Sequence, residues 1–228
     1  MKTNYIYRNT LLVLALAATV LLTGCYKMQQ SWDYKQHVID PHTNKTAWAF
    51  IKSRGTNGFP DTLLSLMERG IRYAGIDTAE YEKSDRTYIL LQNAAVRGGV
   101  DAYFSHYQID DVDNLGLPIQ RPANSWEEYP VEQVKNYFLW LILQGEYTYD
   151  NVGSNNMNVK TLMPPGADPA NPESVMGIRN YPGPQSTDLR NTQLYLNAYL
   201  NAPRPIKVVT GGFINTNGPA HMVATAPW

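Results

Sequence analysis

Thr87-Tyr88-Ile89-Leu90-Leu91-Gln92-Asn93-Ala94-Ala95-Val96 is the stretch from which the fold can be read outward. Its first five residues are strand formers, and the run is too short for a helix, so a strand is expected over 87–91. On the amino-terminal side, Leu63, Leu64, Met67, Ile71 and Ala74 recur at the three-four spacing of a buried stripe. This predicts a helix over 61–74, with Asp61 as its cap and Gly75 as its stop. Further out, Ala47-Trp48-Ala49-Phe50-Ile51 is an apolar cluster of one or two helical turns, ended by the breakers Gly55, Gly58 and Pro60. On the carboxyl side, Val131, Val134, Phe138, Leu141 and Ile142 predict a second helix over 131–144, closed by Gly145. The runs 194–200, 206–210 and 220–224 read as strands. Helices come first and strands crowd the end, so the expected class is α+β rather than alternating βαβ units.

Between 153 and 190 the texture changes. Pro164-Pro165-Gly166, Pro169, Pro172 and Pro182-Gly183-Pro184 break the chain repeatedly, and few apolar residues remain for a separate core. A loop-rich elaboration of one domain over 45–228 is expected there. Net charge is −1, and no dense basic cluster occurs, which argues against a nucleic-acid partner. The 16 tyrosines and 5 tryptophans suit either a recognition surface or a β-rich core.

Cys25 is the sole cysteine, and it ends Leu22-Thr23-Gly24-Cys25 behind an apolar run from Leu11 to Leu22. Lys2 and Arg8 precede that run. A basic start, an apolar middle and small residues before the cut make a secretory signal over 1–24, and the run is too short for a membrane span. The small pair before a lone cysteine resembles a bacterial lipobox. That resemblance implies cleavage before Cys25, acylation of its thiol and anchoring to the cell outer membrane. Residues 25–44 are polar and without period, and read as a flexible tether.

Three stretches, in order, resemble boxes of the fasciclin domain. The first is 87–96, where Thr87, Asn93 and Ala95 match; Val96 stands where Phe is usual, and Leu91-Gln92 replace Pro-Thr. The second is Leu139-Trp140-Leu141-Ile142-Leu143-Gln144-Gly145-Glu146-Tyr147, where Gly145 and Tyr147 match and Trp140-Leu141 replace a Tyr-His pair. The third is Thr216-Asn217-Gly218-Pro219-Ala220-His221-Met222-Val223, with Asn217, Gly218 and His221 in place. The chain resembles a divergent fasciclin-domain lipoprotein of the Bacteroidetes type. The resemblance implies an α+β fold, a twisted β-wedge or small sandwich flanked by helices from the amino-terminal half, with a Pro-rich insertion. It also implies a non-enzymatic role in adhesion or in binding a protein or glycan. Because such lipoproteins occur near glycan-uptake machinery, an accessory subunit of an outer-membrane nutrient-uptake complex is the alternative. The receptor-binding role tied to the Tyr-His pair in animal members does not carry over to Trp140-Leu141.

Candidate sites follow from residue type. Trp126, Tyr129, Tyr181 and Tyr195 are the candidate ligand-binding rings, since rings on loops stack on sugars or anchor partners. Glu127 and Glu128 are adjacent and cannot flank one sugar from opposite sides, so a glycosidase pair is a poor reading. A helix start capped by Asn124 or Ser125 is the better one. Asp110-Asp111-Val112-Asp113-Asn114 has a calcium-loop flavour that His106 could join. Leu115 at the fifth ligand position and Pro122 at the twelfth break that pattern, leaving a solvated loop and no metal expected. His221, before Met222 and Val223, reads as a core histidine bonded to the neighbouring turn near Asn217. Asp61-Thr62-Leu63 and Asp77-Thr78-Ala79 resemble an O-glycosylation signal. No phosphate loop, Gly-x-Ser-x-Gly elbow or His-Glu-x-x-His motif occurs, and no cofactor is expected.

Overall fold

A computed structural model describes residues 40–56, 62–182, 192–197 and 205–227. The chain divides into two units, Met1–Asp40 and Pro41–Trp228. The first, with the expected signal and Cys25, lies outside the described residues except for Asp40; the second is mixed α+β. Its elements in chain order begin with helices α1 (Ala47–Ser53) and α2 (Ser65–Tyr73), a 3-10 turn (Thr78–Tyr81) and strand β1 (Arg86–Leu91). Short helices α3 (Asn93–Arg97) and α4 (Tyr103–His106), strands β2 (Ile109–Val112) and β3 (Pro118–Arg121), a 3-10 turn (Trp126–Glu128) and helix α5 (Val131–Trp140) follow. Strands β4 (Ile142–Gln144), β5 (Met157–Lys160), β6 (Val175–Pro182), β7 (Thr192–Leu196), β8 (Ile206–Lys207), β9 (Thr210–Asn215) and β10 (Gly218–Val223) complete it.

The strand expected at 87–91 is β1, and every residue after Arg86 in it is buried. A strand covered on both faces carries a continuous apolar run instead of alternation, which is the pattern of Tyr88-Ile89-Leu90-Leu91. It sits inside a four-stranded sheet of order β4-β1-β10-β9. The β1–β10 pair is parallel, with Tyr88 opposite Ala220 and Leu91 opposite Val223; the β1–β4 and β9–β10 pairs are antiparallel.

The helix expected over 61–74 is α2. Met67 and Ile71 on it are buried, as are Leu64 and Ala74 at its flanks. Gly75, with φ of 62°, stops it in the left-handed region. The expected cap Asp61 lies outside the described residues, and Leu64 at the cap position has no side-chain bond to give. Asn93 supplies it from 27 residues away: its Oδ1 accepts the Leu66 amide at 2.9 Å, while its Nδ2 donates to the Thr62 carbonyl at 2.8 Å.

The helix expected over 131–144 is too long by a strand. It ends at Trp140; Leu141 turns the chain, and Ile142–Gln144 form β4 against β1. The same apolar residues satisfy a helical stripe and a buried strand, and the open edge of β1 decides between them: the Ile89 amide donates to the Leu141 carbonyl at 2.9 Å. Val131, expected on the buried side, is exposed.

The described part of the stretch 153–190, residues 153–182, contributes to the core of the body and is not a peripheral elaboration. Strands β5 and β6 lie in it and form, with β7 and β8, a second sheet of order β5-β6-β7-β8. Val159, Met176 and Ile178 from these strands join the same buried core as Leu90 and Met222. The prolines 164, 165, 169 and 172 fall in the connection between β5 and β6. The body also starts earlier than 45. Ile214 of β9 donates to the Pro41 carbonyl and accepts from the Thr43 amide, both at 3.0 Å, so residues 41–44 cover an edge strand and are no tether.

Gly218 is the tightest backbone contact of the first sheet. Its φ is 139°, and a Cβ there would stand 2.1 Å from the Arg86 carbonyl oxygen. Gly218→Ala is therefore expected to destabilise the body by about 3 kcal/mol, through strain plus a displaced β1 edge. Urea unfolding checks this; a loss below about 1 kcal/mol would contradict the contact.

Candidate functional site

The residues singled out in the three boxes meet around β1. The Thr87 hydroxyl donates to the Gly145 carbonyl and accepts the Tyr147 amide, each at 2.8 Å. Gly145 takes φ of 108°, which turns the chain out of β4 toward Tyr147. Asn217 is nearly buried, and its Oδ1 accepts the Ala47 amide at 2.9 Å. Its Nδ2 donates toward the carbonyls of Tyr81 and Lys83 and the Tyr88 hydroxyl, at 3.0, 3.2 and 2.9 Å. One carboxamide thus ties α1, the first 3-10 turn, β1 and the β9–β10 turn. Asn93 caps α2, and Ala95 is buried beneath it.

His221 is fully buried. Its Nδ1 accepts the Gly212 amide at 3.2 Å, so Nε2 carries the proton and donates to the Tyr147 carbonyl at 2.8 Å. The expected neighbour Asn217 is not its partner; four residues of extended chain hold the two roughly 13 Å apart, and Asn217 is spent on Ala47, Tyr81, Lys83 and Tyr88. Burial pushes the imidazole pKa down to about 4, and the bond to Tyr147 offsets only part of that. With both ring nitrogens committed to backbone and no solvent access, His221 is a brace.

The ring candidates are corrected. Trp126 and Tyr129 are buried, 2% and 4% exposed. The cause is the 3-10 turn: at three residues per turn, positions 126 and 129 eclipse on one side and turn inward together. Trp126 donates from Nε1 to the Leu66 carbonyl at 2.8 Å and packs on Tyr103, Phe104 and Phe138 at 5.0, 4.9 and 5.1 Å between ring centres. Tyr129 donates to the Tyr107 carbonyl at 2.6 Å, and burial raises its phenol to about 12. Tyr195 is buried in β7 and donates to Gln193 at 2.9 Å. Tyr181 lies in β6, its backbone paired with Gln193; its side chain is outside the described residues.

Neither Asn124 nor Ser125 caps that turn with its side chain. Glu128 does the work in reverse: its Oε1 accepts the Asn124 amide at 2.9 Å and its Oε2 pairs with Arg121 at 2.9 Å. These contacts hold its carboxyl below the ordinary range, the Asn124 amide most. Glu127 is exposed. Asp77 spends its carboxylate on the Ala79 amide, and Thr78 is half-buried in the turn; Asp61 is outside the described residues.

The acidic run is not a loop. It is the first strand and turn of a β-hairpin, with Asp110 opposite Gln120 and Asp111 opposite Ile119. Asp111 pairs with Arg121. Asp113 accepts the amides of Leu115 and Leu117, both at 2.8 Å, and Gly116 takes φ of 78° to close the turn. His106 packs its ring edge-on against Tyr107. Among the described residues no three His, Cys, Asp or Glu side chains are grouped to hold a metal ion. Val112, Leu115, Leu117 and Ile119 on this hairpin are 61%, 83%, 57% and 40% exposed, half of the eight exposed large apolar side chains among the described residues. They carry neither rings nor ligating atoms; their signal in the sequence is the apolar Leu115-Gly116-Leu117-Pro118-Ile119 run, which has no periodic partner.

Among the described residues no helix is long and apolar enough to cross a membrane. No protein-family model matches the chain, and no curated protein matches it.

His221 sets a pH dependence. Its ordinary value is 6.5 and its folded value about 4, so the unfolded chain takes up the proton first as pH falls. Stability is full above about 6.5 and declines down to about 4, by on the order of 3 kcal/mol. Glu68 adds a loss at more acid pH: hydrogen bonds from Arg72 and Thr56 outweigh burial and hold its carboxyl below 4.5. Urea unfolding at pH 7 and pH 5 should differ clearly in the parent chain and much less in His221→Gln; equal slopes would sink this assignment.

Proposed function

We propose that this chain is a lipid-anchored, non-enzymatic binding module of the cell envelope with a fasciclin-like body. The observation that carries the fasciclin-like part is the meeting of the three boxes: Thr87, Gly145 and Tyr147 share hydrogen bonds, and Tyr147 is bonded in turn to His221. Boxes scattered over the sequence by chance have no reason to converge on one strand. The non-enzymatic part is supported by the sealed position of His221 and by the structural engagement of Glu128. The anchor rests on the signal over 1–24 and on Cys25. Its body binds a protein or a glycan outside the cytosol, held near the bilayer by two or more acyl chains, each buried methylene contributing about 0.8 kcal/mol.

The test is an intact-mass measurement on protein recovered from its own membranes, together with fractionation. The parent chain should begin at Cys25 with diacylglycerol on its thiol and an acylated amine. Cys25→Ser should carry no acyl chain and keep its unfolding midpoint. An unmodified thiol in membrane-associated parent protein would overturn the anchor. Pull-down of the anchored chain from native membranes tests the binding role; co-purification with a porin-like protein would instead favour a subunit of an uptake complex.

A further inference from the structure

We infer that the β2–β3 hairpin is a preformed docking finger for another protein, one whose surface offers an apolar cleft with a rim of lysine and arginine side chains. This deepens the binding role proposed above by naming its surface, and it stands independently of the lipid anchor.

Among the described residues the hairpin pairs with no other strand; β2 and β3 form a sheet of two. Isolated two-stranded hairpins are marginal in water, so one that projects Val112, Leu115, Leu117 and Ile119 needs a reason to hold its shape. The shape is held at both ends. At the tip, the Asp113 carboxylate accepts two amides and its carbonyl accepts the Gly116 amide at 3.0 Å. At the base, Arg121 is gripped by Asp111 and Glu128. A tip already ordered loses little freedom on docking, which is the condition under which exposed apolar groups give affinity.

Charge selects the occupant. Between 109 and 128 stand Asp110, Asp111, Asp113, Glu127 and Glu128 against Arg121 alone. Anionic lipid headgroups would be repelled, and carboxylates this close to the tip resist entry into hydrocarbon. A second copy docking hairpin to hairpin would set the same acids against one another. Such a contact would also use far fewer than the ~20–30 residues a side of a stable interface, unless the finger enters a cleft and buries both faces. The exposed side chains are aliphatic, whereas sugars stack on rings. A basic-rimmed apolar cleft in a protein satisfies all four constraints.

The experiment places a benzoylphenylalanine photo-crosslinker at Leu115 or Leu117 of the full chain, with Val209, as exposed as Leu117, as a control outside the hairpin, in isolated native membranes. Expected are adducts with one other protein from 115 and 117, at least about tenfold above 209. Their yield should fall about tenfold in 0.5 M salt or with Asp110→Lys, and mapped peptides should carry the crosslink beside Lys or Arg. Adducts at twice the mass of the chain, adducts to lipid, or a yield indifferent to salt and to Asp110→Lys would each overturn the inference. Equal capture at 115 and 209 would also overturn it. If pull-down still recovers a partner, the hairpin assignment alone has failed; if it recovers none, the binding role fails with it.

Discussion

The parallel pairing of β1 with β10 is the constraint on which the rest of this body depends. It joins segments on either side of the whole β2-to-β9 excursion, so it can form only when that excursion is folded back. The contact is close enough that Gly218 leaves no room for a side chain over the Arg86 carbonyl. Asn217, one residue earlier, spends its entire carboxamide on groups 129 to 170 residues away in sequence. Closing such a loop costs entropy that local contacts cannot return, so the sheet, its polar brace and the buried core must form together. That coupling explains why Asn217 is buried yet bonded: it meets groups left over at the start of α1 and at the end of the first 3-10 turn.

A second polar brace works at the helical side. Glu68 is 1% exposed and accepts the Thr56 amide and hydroxyl at 2.7 and 2.9 Å, while Arg72, one helical turn on, donates to its other oxygen at 2.7 Å. The Arg72 guanidinium lies 5.3 Å from the Trp48 ring centre, so the same network joins α1 to α2. A buried carboxylate without these donors would be protonated or expelled; with them it pins the chain that leaves α1.

Local signals in the sequence were reliable where one physical demand acted. The Tyr-Ile-Leu-Leu run of β1, the buried stripe of α2 and the Gly75 stop are such cases. They were misleading where two demands coincided. Leu141 and Ile142 continue a helical stripe, and Ile142 also fills the strand slot beside β1; only tertiary pairing separates the two. Trp-Glu-Glu-Tyr has the composition of an exposed platform, and a 3-10 turn sorts it, rings inward, Glu127 outward and Glu128 against Arg121. The cap of α2 was illegible because Asn93 is far away in sequence. The core role of 153–190 was hidden because its prolines cluster between β5 and β6 and mask the short strands on either side. Of the candidate site, the box residues were legible as a brace; the hairpin was not, because its acids suggested ligands when two of them hold a turn and a base.

The placement of polar groups separates what is internal in this protein from what is presented. Histidine, asparagine and threonine from the boxes face inward and are satisfied by backbone, which leaves them nothing to offer a ligand. The large rings do the same, as Tyr103, Phe104, Trp126, Tyr129 and Phe138 pack on one another around α4 and α5. Half of the large apolar side chains left outside, among the described residues, are aliphatic groups on one hairpin whose turn is fixed by its own aspartate. A folding body gains nothing from leaving Leu115 83% exposed on a rigid turn. Apolar surface kept in water at a position that is also preorganised has the physical form of a contact waiting for its other half.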